Sequence, residues 1–316
     1  MKKRLPIIVL IVSELIIIYL IWQFWTPASV TLQATDDLRI AVWMGVTWSM
    51  DSHTDSELQA LTQELTAQGV DDAYVYVSYL HSDDTFNPTY DEAQSFLSRM
   101  REYAPEIRWF AWIGVPIKSD ERDNRLEDEN IRNQIADFAS TMITESGFDG
   151  IHLNAELIPD SDVSFLQTLL AIREQIPATA ILSTTTHAIR PSQPVAGLPY
   201  PHVAHHWTID YLQEVATLTD QVAIMAYDSA LPFPRAYREW MRYQVEESAR
   251  ALSGIETELI IGLPVSEEWT WSHPTQSETL ANAIYGFNQG YSTRIDGIAL
   301  YPYWEITGDE WILVNP

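Results

Sequence analysis

The feature that most restricts the fold of this chain is a regular alternation of short apolar segments with amphipathic helical patterns. The apolar segments are rich in Ile, Val, Tyr or Trp and each is followed by a turn-forming residue, which is typical of strands. The predicted strands are Leu38–Gly45, Ala73–Tyr79, Ile107–Gly114, Gly150–Glu156, Thr179–Thr185, Gln221–Tyr227, Glu258–Leu263 and Gly297–Tyr301. The helical patterns between them are Ser56–Gln68, Tyr90–Tyr103, Ile131–Thr144, Val163–Gln175, Ile209–Leu218, Tyr237–Leu252 and Glu278–Asn288.

Strands that alternate with helices form a parallel sheet with right-handed crossovers. Eight such units close naturally into a barrel, so we predict an α/β fold, a (β/α)₈ TIM barrel. An open doubly wound sheet is the alternative. Its nucleotide-binding form is not supported, because no glycine-rich phosphate-binding loop follows the first predicted strand.

The first 25 residues predict a membrane segment. The basic residues Lys2, Lys3 and Arg4 precede a nearly unbroken apolar run from Leu5 to Trp25. About 20 apolar residues span a bilayer as a helix, whereas the apolar core of a secretory signal has about 7–15. The run therefore predicts an uncleaved transmembrane signal anchor over residues 1–25, then a linker over 26–36 and the barrel over 37–316.

The basic residues before this run favour a location of the barrel on the extracytoplasmic side of the cell membrane. A signal peptide cut near Ala28 or Ala34, which would give a secreted protein, is the alternative.

Composition excludes several classes of function. The net charge of −26 disfavours nucleic acid and anionic lipid headgroups as partners, whereas a neutral glycan meets no repulsion. The absence of cysteine excludes disulfides, thiolate metal sites and a cysteine nucleophile. His202, His205 and His206 have no nearby acid to complete a metal site. We therefore expect neither a metal nor a cofactor.

Polar side chains on one face of the fourth predicted strand form the strongest candidate site. Because side chains alternate along a strand, His152, Asn154 and Glu156 share one face and the apolar residues between them share the other. The apolar face suits packing against the outer helices, so the polar face points into the barrel. Barrel enzymes carry their chemistry at the carboxyl ends of the strands, which is where this set lies. A buried hydrogen-bond network that serves stability alone is the alternative interpretation.

The segment from Gly147 to Glu156 resembles strand 4 of glycoside hydrolase family 18, the chitinases and their relatives. That strand reads Asp-x-x-Asp-x-Asp-x-Glu, usually within a Phe-Asp-Gly frame. Here the first Asp falls on Asp149 and the final Glu on Glu156, while His152 and Asn154 replace the two middle acids. An Asn-x-Glu pair after Phe-Asp-Gly is also similar to the family 85 endo-N-acetylglucosaminidases.

The resemblance implies that Glu156 is the acid that protonates the glycosidic oxygen. It also implies that Asn154 orients the acetamido group of the substrate, which acts as the nucleophile. Asp149 and His152 then belong to the substrate-binding set. An amide can hydrogen-bond an acetamido group or the derived oxazoline, but the negative charge beside Glu156 is lost.

Two later strands carry further matches to the same family. The sixth predicted strand ends in Met-x-Tyr-Asp, which implies that Tyr227 and Asp228 contact the acetamido group. At the end of the eighth predicted strand, Tyr301 or Trp304 stands where the family has the tryptophan that forms the floor of the sugar subsite. Trp269 and Trp271 lie in a polar loop after the seventh predicted strand, which favours a sugar platform.

These residues predict a retaining glycoside hydrolase that acts on N-acetylhexosamine-containing glycans. Two alternatives remain open. Glu267 or Glu268, after the seventh predicted strand, could serve with Glu156 in a two-carboxylate retaining mechanism. The loss of the two middle acids of the motif also fits a barrel that binds glycans without cleaving them.

Overall fold

The structure, a computed structural model, describes residues 5–25, 30–33, 38–86, 91–120, 122–192 and 206–315. Eight parallel strands form a closed barrel in chain order, and the first pairs with the last. The strands are β1 (Arg39–Met44), β2 (Val70–Tyr79), β3 (Arg108–Pro116), β4 (Gly150–Glu156), β5 (Ile181–Thr186), β6 (Gln221–Met225), β7 (Glu258–Pro264) and β8 (Gly297–Tyr301). The predicted eight-stranded barrel is confirmed.

Helices surround the barrel, and seven of those described correspond to the seven predicted helical patterns. The helices are α1 (Leu5–Phe24), α2 (Thr47–Met50), α3 (Asp55–Ala67), α4 (Asp91–Tyr103), α5 (Glu129–Thr141), α6 (Val163–Gln175), α7 (Ile209–Leu218), α8 (Pro234–Ala251), α9 (Leu280–Gly290) and α10 (Gly308–Val314). Several begin at a side-chain cap that the sequence supplies. Thr54, for example, accepts from the backbone N–H of Glu57, whose carboxylate accepts from Thr54 in return.

Aromatic rings fill the interior of the barrel, which is therefore packed rather than open. The interior cluster of buried apolar residues is Ala41, Trp43, Tyr74, Phe110, Trp112, Ala223, Ile260 and Ala299. Gly150 allows this packing, because a Cβ there would lie 2.7 Å from the Phe110 ring and 2.6 Å from the carbonyl oxygen of Ile181. The larger apolar core lies outside the barrel, between the strands and the helices.

The two faces of β4 divide as the sequence predicts. Ile151, Leu153 and Ala155 are buried in the outer core, against the helices. His152 and Asn154, on the other face, point into the barrel and hydrogen-bond side chains of β1 and β5. The alternation therefore places Glu156, the last residue of β4, at the carboxyl end of the barrel.

Helix α1 contacts the start of α8 through its C-terminal end. Phe24 packs edge-on against Phe233, with ring centroids 5.3 Å apart, and the Arg235 guanidinium lies 3.9 Å from the centroid of a Trp22 ring. Over the residues that the structure describes, no helix combines the length and apolarity needed to cross a membrane. The predicted transmembrane anchor is therefore not supported, although the helix itself is present.

Most of the predicted linker over residues 26–36 lies outside the described residues. Of the part that is described, Leu32 is buried and its backbone N–H donates to the carbonyl oxygen of Leu313, at 2.7 Å. The backbone N–H of Gln33 donates to Asn288 Oδ1 at 3.0 Å. These four residues, 30–33, therefore contact α9 and α10 rather than extending freely from the barrel.

Candidate active site

A cavity of about 370 Å³ opens at the carboxyl end of the barrel, within the range usual for small-molecule sites. Its lining combines aromatic rings, two carboxyl groups and several neutral polar groups. The lining residues are Trp43, Trp112, Asn154, Glu156, Leu157, Thr185, His187, Ala188, His206, Met225, Tyr227, Asp228, Trp271, Ser272 and Tyr301. Five of the eight residues that the sequence predicts for the site therefore meet here: Asn154, Glu156, Tyr227, Asp228 and Tyr301.

A short hydrogen-bond chain fixes the two residues predicted to be catalytic. The Thr185 hydroxyl donates to Asn154 Oδ1 at 2.7 Å, and Asn154 Nδ2 donates to Glu156 Oε1 at 2.9 Å. Because Ala155 lies between them and points outward, Asn154 and Glu156 share the inner face of β4, and β5 supplies the group that orients Asn154. The amide of Asn154 is therefore held with its N–H group toward Glu156.

The environment of Glu156 favours its protonated form. Burial raises the pKa of Glu156, and the negative charge of Asp228 raises it further, while the hydrogen bond from Asn154 opposes the shift. The carboxyl group is reached from the cavity, to which Glu156 is exposed, and a ligand in the cavity would exclude water from it further. A carboxyl group of this kind can donate a proton to a ligand at higher pH than an ordinary glutamic acid.

His152 lies one layer deeper, beneath the cavity. It is fully buried, with Nε2 2.9 Å from Trp43 Nε1 and Nδ1 2.8 Å from the Ser183 hydroxyl. Since the indole N–H can only donate, Nε2 accepts and the proton is on Nδ1. Burial lowers the pKa of His152 to about 3, so the ring is neutral. Its hydrogen bonds continue through Ser183 to Gln221, which makes it part of the barrel interior.

Aromatic rings form the wall of the cavity next to the carboxyl groups. Tyr227 and Tyr301 are stacked, with centroids 5.4 Å apart and planes 12° apart. Trp43 meets each of them edge-on. Trp271 lines the cavity with 71% of its surface exposed, which is unusual for a tryptophan and suits contact with a ligand.

A cluster of two acids and a histidine borders the cavity on the side of Asp228. His273 Nδ1 lies 3.4 Å from Asp228 Oδ1 and 3.1 Å from Glu278 Oε2. Glu278 is buried and accepts from the backbone N–H groups of Asp228 and Ser229, both at 2.8 Å. Burial alone would lower the pKa of His273, but its contacts with the two carboxylates outweigh burial and raise it to about 10.

Three predicted site residues lie away from the cavity lining. Asp149 is at the opposite end of β4, where its carboxylate accepts from the backbone N–H of Trp109 at 2.8 Å and from Arg101 at 2.7 Å. His152 is fully buried beneath Trp43. Neither side chain is placed to touch a ligand in the cavity, so the proposed substrate-binding role is not supported for either. Trp304 is exposed and meets Tyr301 edge-on, at 6.0 Å between centroids.

The strand-7 glutamates of the alternative mechanism also lie outside the cavity lining. Glu267 and Glu268 are exposed, and the backbone N–H of Glu267 donates to the carboxylate of Glu305 at 3.1 Å. His206 lines the cavity, whereas His202 and His205 lie outside the described residues. The loop after β7 thus contributes the Trp271 ring to the cavity, but neither Glu267 nor Glu268 lines the cavity.

Sequence reasoning missed Thr185, His273 and Glu278. Thr185 ends the fifth predicted strand, so its position at the carboxyl end of the barrel was available from the strand pattern alone. The helical pattern predicts Glu278 as the first residue of a helix, but α9 begins at Leu280 and Thr279 caps it. No local signal connects His273 and Glu278 with Asp228, which is about 45–50 residues earlier in the chain.

Comparison with known proteins relates the chain to others through its fold. No protein-family model matches the chain, and no curated protein matches it in sequence. A class V chitinase from Pseudomonas fluorescens matches with a TM-score of 0.58 at 11% identity, over 88% of this chain and 98% of that one. A chitinase from Chromobacterium violaceum matches with a TM-score of 0.57 at 13% identity, over 88% and 98%.

The spore cortex-lytic enzyme SleL of Bacillus cereus matches with a TM-score of 0.57 at 11% identity, over 92% of this chain and 75% of that one. These identities are low, so the three likenesses establish the barrel fold that the chain shares with chitinases and SleL, and the fold alone.

Proposed function

We propose that this protein is a retaining glycoside hydrolase that acts on N-acetylhexosamine-containing glycans, with the acetamido group of the substrate as nucleophile. The observation that carries the proposal is the Asn154–Glu156 pair at the cavity, where a protonatable carboxyl group stands beside an oriented amide. The solved structures of similar fold, which are chitinases and a spore cortex-lytic enzyme, support a glycan as the substrate class.

In this mechanism Glu156 gives its proton to the glycosidic oxygen as the bond to the anomeric carbon breaks. The carbonyl oxygen of the neighbouring acetamido group attacks the anomeric carbon and forms an oxazolinium ion, which keeps the amide proton. The Glu156 carboxylate then takes a proton from water, whose oxygen attacks the anomeric carbon from the original face and opens the oxazolinium ring. Two inversions give net retention, and Glu156 and the acetamido group both return to their starting states.

The proposed role of Asn154 is to hold the acetamido group in the attacking geometry. Its Nδ2 has two protons, of which one is donated to Glu156. The other proton, and the second lone pair of the Oδ1 that accepts from Thr185, are available to the substrate. Because the Asn154 amide is oriented before the substrate binds, the reaction does not have to order this side chain, which lowers the entropic part of the barrier.

The rings of Tyr227 and Tyr301 supply the surface on which a pyranose can rest. A sugar presents an apolar face of C–H groups, and this stacked pair with Trp43 gives the cavity a matching aromatic wall. Trp271 lies on the exposed side of the cavity and would extend the aromatic wall past the sugar that is cleaved. We propose that these rings bind successive sugars of an oligomer.

A glycan-binding protein without catalysis is the second candidate. It is favoured by one observation, that Glu156 is the sole carboxyl group on the inward face of β4, since His152 is a neutral buried ring and Asn154 an amide. The same cavity and aromatic wall would then serve binding alone. The enzyme is preferred because Glu156 stands at the cavity with its carboxyl group bound by Asn154, and its raised pKa suits a general acid.

The two candidates are separated by hydrolysis of N-acetylglucosamine oligomers and of matched oligomers without the acetamido group. The enzyme releases product only from the first set, and Glu156→Gln abolishes that release. Glu267→Gln is the matched control, because Glu267 is exposed and outside the cavity lining. Tight binding of both oligomers without release would favour the binding protein, and cleavage of oligomers without acetamido groups would favour a two-carboxylate enzyme.

The proposed location of the barrel is the extracytoplasmic side of the cell membrane, or outside the cell if the N-terminal segment is cleaved. Both forms of this proposal rest on the basic residues before the apolar run. Fractionation of cells and N-terminal sequencing of the mature protein distinguish them.

A further inference from the structure

His273 is buried against Asp228, with only 5% of its surface exposed. Its Nε2 lies 3.2 Å from the carbonyl oxygen of Ser266, and its Nδ1 faces the carboxylates of Asp228 and Glu278 at 3.4 and 3.1 Å. A carbonyl oxygen can only accept, so Nε2 carries a proton, and two ionised carboxylates require a proton on Nδ1 as well. The ring is therefore an imidazolium cation.

The contacts of Glu278 support this assignment. Its Oε1 accepts from the backbone N–H of Ser229 at 2.8 Å and from the Ser229 hydroxyl. Its Oε2 accepts from the backbone N–H of Asp228 at 2.8 Å and faces His273 Nδ1. Four donors on two oxygens leave no place for a proton on the carboxyl group, although burial raises the pKa of Glu278.

The same residue types could ligate a divalent metal, since their ligand atoms lie within 4.8 Å of one another. A metal ligand must, however, offer a lone pair, and a histidine that donates from both ring nitrogens has none. The contacts with Ser266 and the two carboxylates use both nitrogens of His273. A doubly protonated His273 excludes a metal ion, so the protonation state of its ring distinguishes an ion cluster from a metal centre.

Asp228 is held in an unusual backbone conformation by this cluster. Its φ is +56°, in the left-handed region that residues other than glycine adopt rarely. The hydrogen bond from its backbone N–H to Glu278 fixes that conformation, and the contact with His273 restrains the carboxylate. More than half of the side chain is exposed and it lines the cavity together with Glu156.

We propose that His273 is a positioning residue, a buried cation that, with Glu278, holds the ionised carboxylate of Asp228 at the cavity so that a negative charge acts on Glu156. This inference rests on the proposed function, in which Glu156 is the acid. The family that the chain resembles has a carboxylate two residues before its acid, where this chain has the neutral Asn154. The cluster holds a negative charge at the cavity on Asp228, in the segment after β6.

The electrostatics of the site agree with this role. After burial, the charge of Asp228 is what raises the pKa of Glu156. Without the cation, Asp228 and Glu278 would be two carboxylates facing each other with nothing between them. Like charges so close favour protonation of one carboxyl group or its movement away, and either change alters the field at Glu156.

The test is a cycle of variants read out by ¹³C NMR of the Glu156 carboxyl group in the full-length protein, titrated with pH. Asp228→Asn removes the charge and should lower the pKa of Glu156. His273→Gln should also change the pKa of Glu156, but the change should vanish when Asp228→Asn is already present. His53→Gln, a histidine on the β1 loop, is the matched control and should leave the titration unchanged.

A pKa of Glu156 that His273→Gln leaves unchanged, or changes equally with and without Asp228, would overturn the proposal. In the unmodified protein, ¹⁵N NMR should show both nitrogens of the His273 ring protonated throughout the neutral range. A neutral ring at pH about 7 would overturn the proposal even if His273→Gln fails to fold. Neither readout uses activity. If His273 and Asp228 are coupled to the pKa of Glu156 but the protein hydrolyses no oligomer, the proposed function is contradicted while the charge-positioning role is still supported.

Discussion

Thr185 offers the most selective test of how the site is organised. Its hydroxyl donates to Asn154 Oδ1 at 2.7 Å, and that bond sets which way the amide of Asn154 faces. Thr185→Val removes the hydroxyl with almost no change of shape. The side chain is only 4% exposed, so the loss should leave Asn154 Oδ1 short of a donor without opening the structure.

The loss of one such hydrogen bond costs about 1 kcal/mol, which corresponds to about a fivefold change in an equilibrium. We therefore expect Thr185→Val to lower kcat/KM on an N-acetylglucosamine oligomer by about five- to tenfold. The affinity for a thiazoline analogue of the oxazoline should fall by a similar factor, because both depend on the orientation of Asn154. Steady-state kinetics and calorimetry measure the two quantities.

Thr184→Val is the matched control, because Thr184 is the adjacent residue on β5 and is also buried. Its hydroxyl donates to the carbonyl oxygen of Leu153 at 2.8 Å, on the outer side of the sheet. Both variants should lose about 1 kcal/mol of stability, or about 2–4 °C in Tm. Equal activity of the two variants would refute the argument that Thr185 orients Asn154.

Three further variants test the rest of the site. Glu156→Gln should lower kcat by at least about a hundredfold. It should also raise the Tm at neutral pH. Because the pKa of Glu156 is raised in the folded state, its carboxyl group contributes stability that is fully present below pH about 4.3 and is lost as the pH rises through the folded-state pKa, whereas the glutamine stays neutral. An equal or lower Tm of the variant at neutral pH would count against this explanation. Asn154→Asp should move the alkaline limb of kcat/KM to higher pH, since a carboxylate replaces a donor beside Glu156, and an unmoved limb would argue against that electrostatic coupling. Trp271→Ala should weaken oligomer binding by about three- to tenfold at unchanged Tm, because the ring is 71% exposed, and unaltered affinity would remove it from the sugar platform.

The barrel could be predicted because its signals are local and repeated. Each strand is a short apolar run that ends at a turn residue, and β4 and β8 begin and end where the pattern predicts, at Gly150–Glu156 and Gly297–Tyr301. The alternation along β4 also predicts correctly which side chains face inward. The carboxyl ends of parallel strands meet at one end of a barrel, so Asn154, Glu156, Tyr227 and Tyr301 could be expected to lie together.

Depth along a strand could not be predicted from alternation. His152 and Asn154 share a face, but one layer of the barrel separates them, and Trp43 covers the histidine from above. Asp149 precedes β4 and therefore lies at the amino end of the barrel, where it pairs with Arg101. The motif match assigns His152 and Asp149 to the same site as Glu156. Each residue of a strand adds about 3.3 Å of length, so both lie too far below the carboxyl end of β4 to reach the cavity.

The support around Asp228 could not be predicted either, because it depends on contacts between distant segments. His273 and Glu278 come from the loop after β7 and the residues before α9, and the fold alone brings them to Asp228, after β6. For the N-terminal segment, the length of the apolar run indicated an anchor. The structure gives a helix whose end packs on α8, and no membrane-crossing helix among the residues described.

The proposed mechanism is tested most directly by the crystal structure of the Glu156→Gln variant with a bound N-acetylglucosamine oligomer. We expect the substituted side chain to lie about 2.6–3.2 Å from a glycosidic oxygen. We also expect the acetamido group of the sugar next to the cleavage point to lie against Asn154, with its carbonyl oxygen beneath the anomeric carbon. An oligomer bound with its acetamido groups directed away from Asn154, or with no glycosidic oxygen within reach of residue 156, would contradict the proposed mechanism.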